Sequence, residues 1–190
     1  REEANLILGT DLLEHPEKAE GANNIVIVGG GVVGCETAHW LANEYGKNVT
    51  VLEMLPHFMM GVCTANRGHL LHYLEKSGVR LYNCTKVKAL AKDGVYVEQN
   101  QSQTVPDPYN TWQPLLPPNI PNPMEKAIKE EIVEKKIPAD LIVLAMGGKA
   151  DETFFFEAGE EHLAKEIYNI GDSSRAGRVL EAVRGAYHLA

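Results

Sequence analysis

Short runs of consecutive apolar residues, each ended by glycine or polar residues, recur along this chain. Such runs, rich in β-branched residues, predict strands that are buried on both faces, as in a parallel sheet. Between them lie segments whose apolar residues recur every three or four positions, which predicts helices. The predicted strands are 4–10, 24–28, 48–53, 79–82, 140–145 and 166–170, and the predicted helices are 35–45, 64–77 and 177–190. This alternation predicts an α/β fold with a central parallel sheet.

The remaining segments have other patterns. Residues 86–97 predict a β-hairpin around an Asp-Gly turn. Residues 124–137 fit either a surface helix or a strand of a small antiparallel β-meander, and the polar residues 11–23 predict a linker. Residues 100–123 hold seven of the ten prolines, which indicates an insertion or a functional loop, because long irregular loops are unusual in compact domains.

Composition narrows the classes of function. The 190 residues carry a net charge of −8, which disfavours a nucleic-acid-binding protein, since such proteins present basic faces. No apolar run approaches the ~20 residues of a membrane-spanning helix, and no signal peptide opens the chain. The three cysteines are widely spaced and odd in number, which favours a reducing compartment. We therefore expect a cytoplasmic protein with neither a nucleic-acid nor a membrane partner, and no metal site.

The strongest chemical signal is a G-x-G-x-x-G motif that follows the strand at 24–28 and opens a helix. In a dinucleotide-binding turn Gly29 permits the tight turn, Gly31 lets the backbone approach a pyrophosphate, and Gly34 lets helix and strand pack closely. The amino end of the helix then offers N–H groups to the phosphates. The alternative is a glycine-rich turn that binds nothing. The candidate residues of this turn are Gly29, Gly30, Gly31, Val32, Val33 and Gly34.

Three other side chains have candidate roles. Glu53 lies nineteen positions after Gly34, close to the spacing at which an acid binds the adenine ribose hydroxyls, so it favours NAD over NADP. The alternative is an ordinary exposed glutamate at a strand end. Asp172 follows a predicted strand, where it fits either a ligand contact or a turn or helix N-cap. Cys35 lies at a helix amino end, where thiols are activated, but a packing role beside Gly34 is the better interpretation.

These motifs resemble a known family. Residues 25–53, with Gly-Gly-Gly-Val-Val-Gly-Cys-Glu at 29–36, look like the NAD(P)H-binding domain of flavoproteins with two dinucleotide-binding domains, which include the pyridine nucleotide-disulfide oxidoreductases. Residues 141–148 resemble the strand and turn that close that domain, although Met146 replaces the usual Thr. Residues 168–172 resemble the motif whose Asp binds FAD in the parent domain. Gly171-Asp172 followed by residues 178–187 is similar to the carboxyl-terminal segment of the Old Yellow Enzyme-like NADH:flavin oxidoreductases, such as 2,4-dienoyl-CoA and 2-enoate reductases.

The resemblance implies a Rossmann-like FAD/NAD(P)-binding fold in an oxidoreductase. Residues 23–150, including the insertion 100–123, would form the NAD(P)H-binding domain. Residues 1–22 would cross over from a truncated FAD domain, and 151–190 would return toward it. The resemblance adds to the candidate cofactor site the residues Glu36, Met54, Ala145, Met146, Gly147, Gly171 and Asp172.

The implied function is a flavoprotein module that positions NADH, in preference to NADPH, for hydride transfer to FAD in the intact enzyme. FAD would be bound only in the intact protein, and FMN and an iron–sulfur cluster would belong to absent upstream domains. The partners of the chain would then be the FAD and barrel domains of the same polypeptide. No catalytic residue is expected within this chain, which alone would be inactive. The alternatives are a fragment of a disulfide reductase or ferredoxin reductase, or a non-enzymatic NAD-sensing module.

Overall fold

A computed structural model describes residues 4–112, 120, 123 and 126–190, which divide after Met146 into two compact units. The strands are β1 Leu6–Leu8, β2 Asn24–Val28, β3 Asn48–Leu52, β4 Arg80–Tyr82, β5 Thr85–Ala91, β6 Gly94–Asn100, β7 Ile132–Pro138 and β8 Leu141–Leu144. The α-helices are α1 Gly9–Glu14, α2 Val32–Tyr45, α3 Thr64–Lys76, α4 Thr153–Glu160 and α5 Val179–Leu189. Two 3-10 helices cover Pro16–Ala19 and Gly171–Ser173.

The first unit is built on a five-stranded sheet in the order β1-β8-β2-β3-β4, in which every neighbouring pair is parallel. Alternate residues of the central strand β2 pack in two different hydrophobic clusters. Ile25 and Ile27 pack with the helices, whereas Val26 and Val28 pack with residues of the small second sheet. Because both faces are covered, β2 has a continuous apolar run, and the predicted α/β fold is confirmed.

The second sheet is the predicted antiparallel meander, in the order β5-β6-β7. Residues 132–138 form its third strand, so the strand interpretation of 124–137 is correct for this part of the segment. Val95, Val97 and Ile137 are its buried apolar residues and lie in one cluster with Ile142 of the parallel sheet. The alternation of buried and exposed residues is weak along β7, which explains why periodicity alone did not distinguish helix from strand.

Two sequence-based predictions of local structure are wrong. Residues 11–14 lie in α1 and residues 16–19 in a 3-10 helix, where a linker over 11–23 was predicted, because Leu12 and Ala19 are fully buried in the main core. Residues 9 and 10, predicted as the end of the first strand, also belong to α1. Residues 166–170 form no strand, since none of the residues that the structure describes pairs with them in a ladder. Ile170 does have an extended backbone, with φ −137° and ψ 162°. The residue types in this run favour an extended backbone, but a strand also needs a neighbouring strand to pair with.

The Pro-rich segment is described only in part, because residues 113–119, 121–122 and 124–125 lie outside the described residues. Its first part runs beside β4, where the Tyr109 hydroxyl donates to Val79 O at 2.6 Å and accepts from Leu81 N–H at 3.2 Å. β4 is an edge strand, so this segment covers a row of backbone groups that would otherwise be unpaired. None of the helices among the described residues has the length and apolar character needed to cross a membrane.

Candidate nucleotide-binding site

The turn between β2 and α2 has the backbone shape that the glycine motif predicts. Gly29 adopts φ +113°, a conformation that L side chains rarely adopt. Its N–H donates to Leu52 O at 2.9 Å, so the turn starts while the chain is still paired with β3. A Cβ at this position would lie 2.3 Å from Ala145 O. Glycine is therefore required here by both conformation and space.

The next three glycines of the turn differ in what surrounds them. A Cβ at Gly34 would lie 2.0 Å from Gly29 O, which is the close helix–strand approach expected of the third glycine. A Cβ at Gly30 would lie 2.4 Å from the Phe58 ring. At Gly31 no atom lies within 4 Å of an added Cβ. The turn is thus packed at Gly29, Gly30 and Gly34 and open at Gly31.

The carboxylate of Glu53 is fixed against this turn by two backbone groups. Its Oε2 accepts from Gly30 N–H at 2.8 Å, and its Oε1 accepts from Leu55 N–H at 2.8 Å. The N–H of Glu53 itself donates to Tyr82 O at 2.9 Å, so the residue directly continues the β3–β4 pairing. A half-buried negative charge therefore lies beside the glycine turn, as the spacing of Glu53 from Gly34 predicts.

The loop after Glu53 supplies contacts that the sequence did not reveal. Phe58 is fully buried with its ring against Gly30, and Met59 N–H donates to Gly30 O at 2.8 Å. Arg67, at the start of α3, donates from Nε to Phe58 O at 2.9 Å. These contacts join residues that are distant along the chain and follow no periodic pattern. No local signal pointed to Phe58 or Arg67.

The amino end of α2 lies next to the open glycine. Cys35 N–H donates to Gly31 O at 3.1 Å, and no side chain in the described part of the chain caps this helix end. Val33 and Glu36 are exposed in the first turns, and Val32 is half-buried. The first N–H groups of the helix are consequently available to an anion, as in dinucleotide-binding turns.

Cys35 is a packing residue and not an activated thiol. It is fully buried, and its Sγ donates to Gly30 O at 3.6 Å. Burial raises the pKa of the Cys35 thiol to about 12, and the nearby charges of Glu53 and Glu36 contribute in the same direction. Burial thus outweighs the helix amino end, which would lower the pKa of an exposed thiol.

The segment after β8 completes this edge of the parallel sheet. Ala145 N–H donates to Val28 O at 2.8 Å, which brings Ala145 beside the start of the glycine turn. Met146, which follows it, and Met54, which follows Glu53, are both 67% exposed. The strands β2, β3 and β8 are parallel neighbours, so their carboxyl ends meet here, where open α/β sheets bind ligands.

The remaining predicted residues belong to the second unit, which is described by itself. Gly147 and Gly171 have φ of +88° and +68°. Asp172 lies in a 3-10 helix and accepts from Gly177 N–H at 3.1 Å. This contact fits the turn interpretation, whereas the N-cap of α5 is Arg178 and not Asp172. A groove of about 560 Å³ lies beside this turn, between Asn169–Gly171 and Ser174–Gly185.

A family model identifies the family of this chain. The model described as pyridine nucleotide-disulphide oxidoreductase matches residues 7–172, which is most of the chain. The chain belongs to the pyridine nucleotide-disulphide oxidoreductase family. The proteins of this family are oxidoreductases that depend on FAD and NAD(P). The predicted family and the Rossmann-like fold class are thereby confirmed.

Individual relatives are much longer than this chain. It is 26% identical over 180 residues to an NADH oxidase of Thermoanaerobacter brockii and 27% identical over 177 residues to a bilirubin reductase of Mediterraneibacter gnavus. These matches cover 95% and 93% of this chain but only 23% and 22% of the relatives.

Among solved structures, 2-naphthoyl-CoA reductase in complex with 2-naphthoyl-CoA matches with a TM-score of 0.71 at 24% identity. That match covers 96% of this chain and 22% of the other, and it shows a shared fold. The chain thus spans less than a quarter of the length of each of these three proteins. They agree with the resemblance to Old Yellow Enzyme-like reductases.

Proposed function

We propose that this chain is the NADH-binding module of a flavin-dependent oxidoreductase. The observation that carries the proposal is the glycine turn, which is open at Gly31 and has the Glu53 carboxylate fixed beside it. When bound, NADH would supply a hydride and FAD would accept it in the intact enzyme. The contribution of this chain is to bind and orient the nucleotide, and no acid–base residue is assigned to it.

The residues of the turn fit a dinucleotide pyrophosphate. A side chain at Gly31 would occupy the open space, whereas the other three glycines are enclosed by protein atoms. Beside that space lie the uncapped first turn of α2 and the positive end of its macrodipole. We propose that the backbone from Gly29 to Gly34, with Val32 and Val33, holds the pyrophosphate. Ala145, Met146, Gly147 and Glu36 are proposed to line the nicotinamide side.

Glu53 and Met54 are proposed to bind the adenosine ribose. Both carboxylate oxygens of Glu53 already accept a backbone N–H, so the charge is fixed where it would accept from ribose hydroxyls. A 2′-phosphate there would face like charge, which costs about 1 to 4 kcal/mol at 4 Å between water and a protein surface. The first Lys or Arg after Glu53 is Arg67, whose guanidinium donates to two backbone carbonyls instead. These features favour NADH over NADPH.

Isothermal titration of the chain with both nucleotides tests this proposal. We expect NADH to bind at least about tenfold more tightly than NADPH, which corresponds to about 1.4 kcal/mol. Glu53→Gln should reduce that ratio toward one, because it removes the charge but keeps a similar shape. Glu44 is an exposed acid near the carboxyl end of α2. Glu44→Gln is the matched control and should leave the ratio unchanged. Equal or tighter binding of NADPH by the unsubstituted chain would contradict the cofactor assignment.

The proposal also covers the division of the chain. Residues 23–150 would be the NAD(P)H-binding domain, and residues 1–22 and 151–190 would lead to and from an FAD domain of the same polypeptide. Gly171 and Asp172 would contact FAD at the edge of that domain. The resemblance to the Old Yellow Enzyme-like reductases further implies a barrel domain with FMN and an iron–sulfur cluster outside this chain.

A further inference from the structure

Arg67 is a buried cation with no acidic partner among the described residues. Its side chain is only 4% exposed, and its guanidinium makes no ion pair in the described part of the chain. It donates instead to two backbone carbonyls, from Nε to Phe58 O and from Nη1 to Asn110 O, both at 2.9 Å. Burial of an arginine without a carboxylate is costly. Burial lowers the pKa of this guanidinium, and the two carbonyl contacts are the hydrogen bonds that offset the cost of burying its charge.

The first contact leads directly to the glycine turn. Phe58, whose carbonyl Arg67 holds, has its ring so close to Gly30 that a Cβ there would lie 2.4 Å away. The next residue, Met59, donates its N–H to Gly30 O at 2.8 Å. Gly30 N–H in turn donates to Glu53 Oε2. A continuous series of contacts therefore joins Arg67 to the carboxylate that we propose to bind ribose.

The second contact leads to the Pro-rich segment. Asn110 follows Tyr109, whose hydroxyl anchors this segment to the edge strand β4. Asn83, directly after β4, links the same two segments a second time. Its Nδ2 donates to Pro106 O at 2.8 Å and to Pro56 O at 2.7 Å. Two side chains thus tie the Pro-rich segment to the loop that follows Glu53. Tyr109 fixes this part of the segment to β4, so the segment can in turn hold the loop that follows Glu53 in place.

We propose that Arg67 is a positioning residue of the nucleotide site. It holds the loop that carries Phe58 against the glycine turn and so fixes the Gly30–Glu53 pair, without contacting the nucleotide itself. The Pro-rich segment is the support on which it acts. This inference rests on the proposed NADH-binding function.

The test compares nucleotide selectivity in two variants of helix α3. Arg67→Met keeps the apolar stem but removes both donors, and we expect it to weaken NADH binding about tenfold and to reduce the NADPH/NADH ratio of dissociation constants toward one. Leu70→Ala, on the same helix, removes an apolar side chain that packs against the main core and removes neither of the hydrogen bonds that Arg67 donates. We expect it to lower the melting temperature and leave the ratio unchanged. A merely structural arginine would lower stability in the same way and would not move the ratio.

A double-mutant cycle separates this inference from the proposed function. If Arg67 acts through Glu53, Arg67→Met should have no further effect on the ratio in a Glu53→Gln background. A chain without NADH preference would overturn the proposed function and this inference with it. If the unsubstituted chain prefers NADH and the Arg67→Met variant keeps the same ratio of dissociation constants, this inference alone is overturned. If Arg67→Met does not fold, Arg67→Lys is measured instead, and an unchanged ratio in that variant would overturn the inference.

Discussion

At the scale of single residues, burial decides the chemistry of Cys35. Its place near the amino end of α2 would activate an exposed thiol, but the side chain is fully buried between the helix and the glycine turn. Its pKa is raised to about 12 by that burial first, and by Glu53 and Glu36 second. A residue that a motif search would flag as reactive is therefore part of the core.

This raised pKa makes stability depend on alkaline pH. The folded pKa of Cys35 lies above the unfolded value, so the protonated thiol stabilises the fold below about pH 9, and this contribution is lost as pH rises from 9 toward 12. At pH 10 the loss is on the order of 1 kcal/mol. Urea unfolding at pH 8 and pH 10 should show a smaller decrease for Cys35→Ala than for the unsubstituted chain. Cys63→Ala, at an exposed cysteine, is the control. If stability falls as much between pH 8 and pH 10 in Cys35→Ala as in Cys63→Ala, Cys35 is not the source of the pH dependence.

At the scale of elements, the glycines of the β2–α2 turn differ in why glycine is needed: some allow the chain to pack, and one leaves open space beside the helix end. Gly29 and Gly34 are required by the close approach of backbone atoms, and the added Cβ of each would lie within 2.3 Å of a carbonyl oxygen. Gly31 has an ordinary φ of −70° and open surroundings. The fold itself therefore has no need of glycine at position 31, and the pyrophosphate of the proposed nucleotide would be the physical reason for it.

Substitutions in this turn should separate binding from stability. Gly31→Val is expected to abolish NADH binding with little change in melting temperature, because the side chain would occupy the space proposed for the pyrophosphate. Gly34→Ala is expected to destabilise the chain by about 1 to 3 kcal/mol, the usual range for overpacking. Differential scanning calorimetry and nucleotide titration of both variants measure the two effects. Retained affinity in a folded Gly31→Val variant would mean that the nucleotide does not bind at this turn.

At the scale of the whole molecule, the chain has one glycine-rich dinucleotide turn and two compact units. The relatives that it matches are more than four times as long. The second unit holds Gly171 and Asp172, which can supply one or two hydrogen bonds to a flavin nucleotide. Such bonds contribute only ~0.5–3 kcal/mol in total, whereas micromolar binding needs about 8 kcal/mol. Gly171 and Asp172 alone would therefore fall short of the free energy that micromolar FAD binding needs.

We therefore expect the purified chain to be colourless and unable to oxidise NADH with an added acceptor. A longer polypeptide that adds a complete FAD domain to this chain should be yellow. Absorbance at 450 nm, normalised to protein concentration after incubation with FAD and gel filtration, measures this. A stoichiometric flavin band in the 190-residue chain would show that the second unit binds FAD by itself.

The sequence alone determined the parallel sheet and the glycine turn, because these depend on local signals. A buried strand such as β2 needs an unbroken apolar run, and the turn needs glycine where carbonyl oxygens come within about 2 Å of a Cβ position. The spacing to Glu53 followed from the length of one βαβ unit. Each of these signals is local, and the unit from β2 to Glu53 spans thirty residues, from 24 to 53, so it can be recognised without knowing what packs around it.

Only the tertiary structure decided the remainder. Residues 166–170 have strand-like composition, but a strand also needs a hydrogen-bonded neighbour, which composition does not specify. α1 is short and polar in part, and it is ordered because Leu12 is buried in the main core. Arg67 meets Phe58 and Asn110 only because the loop and the Pro-rich segment converge on α3. Contacts between distant segments depend on where the fold places them, so no local pattern could have predicted them.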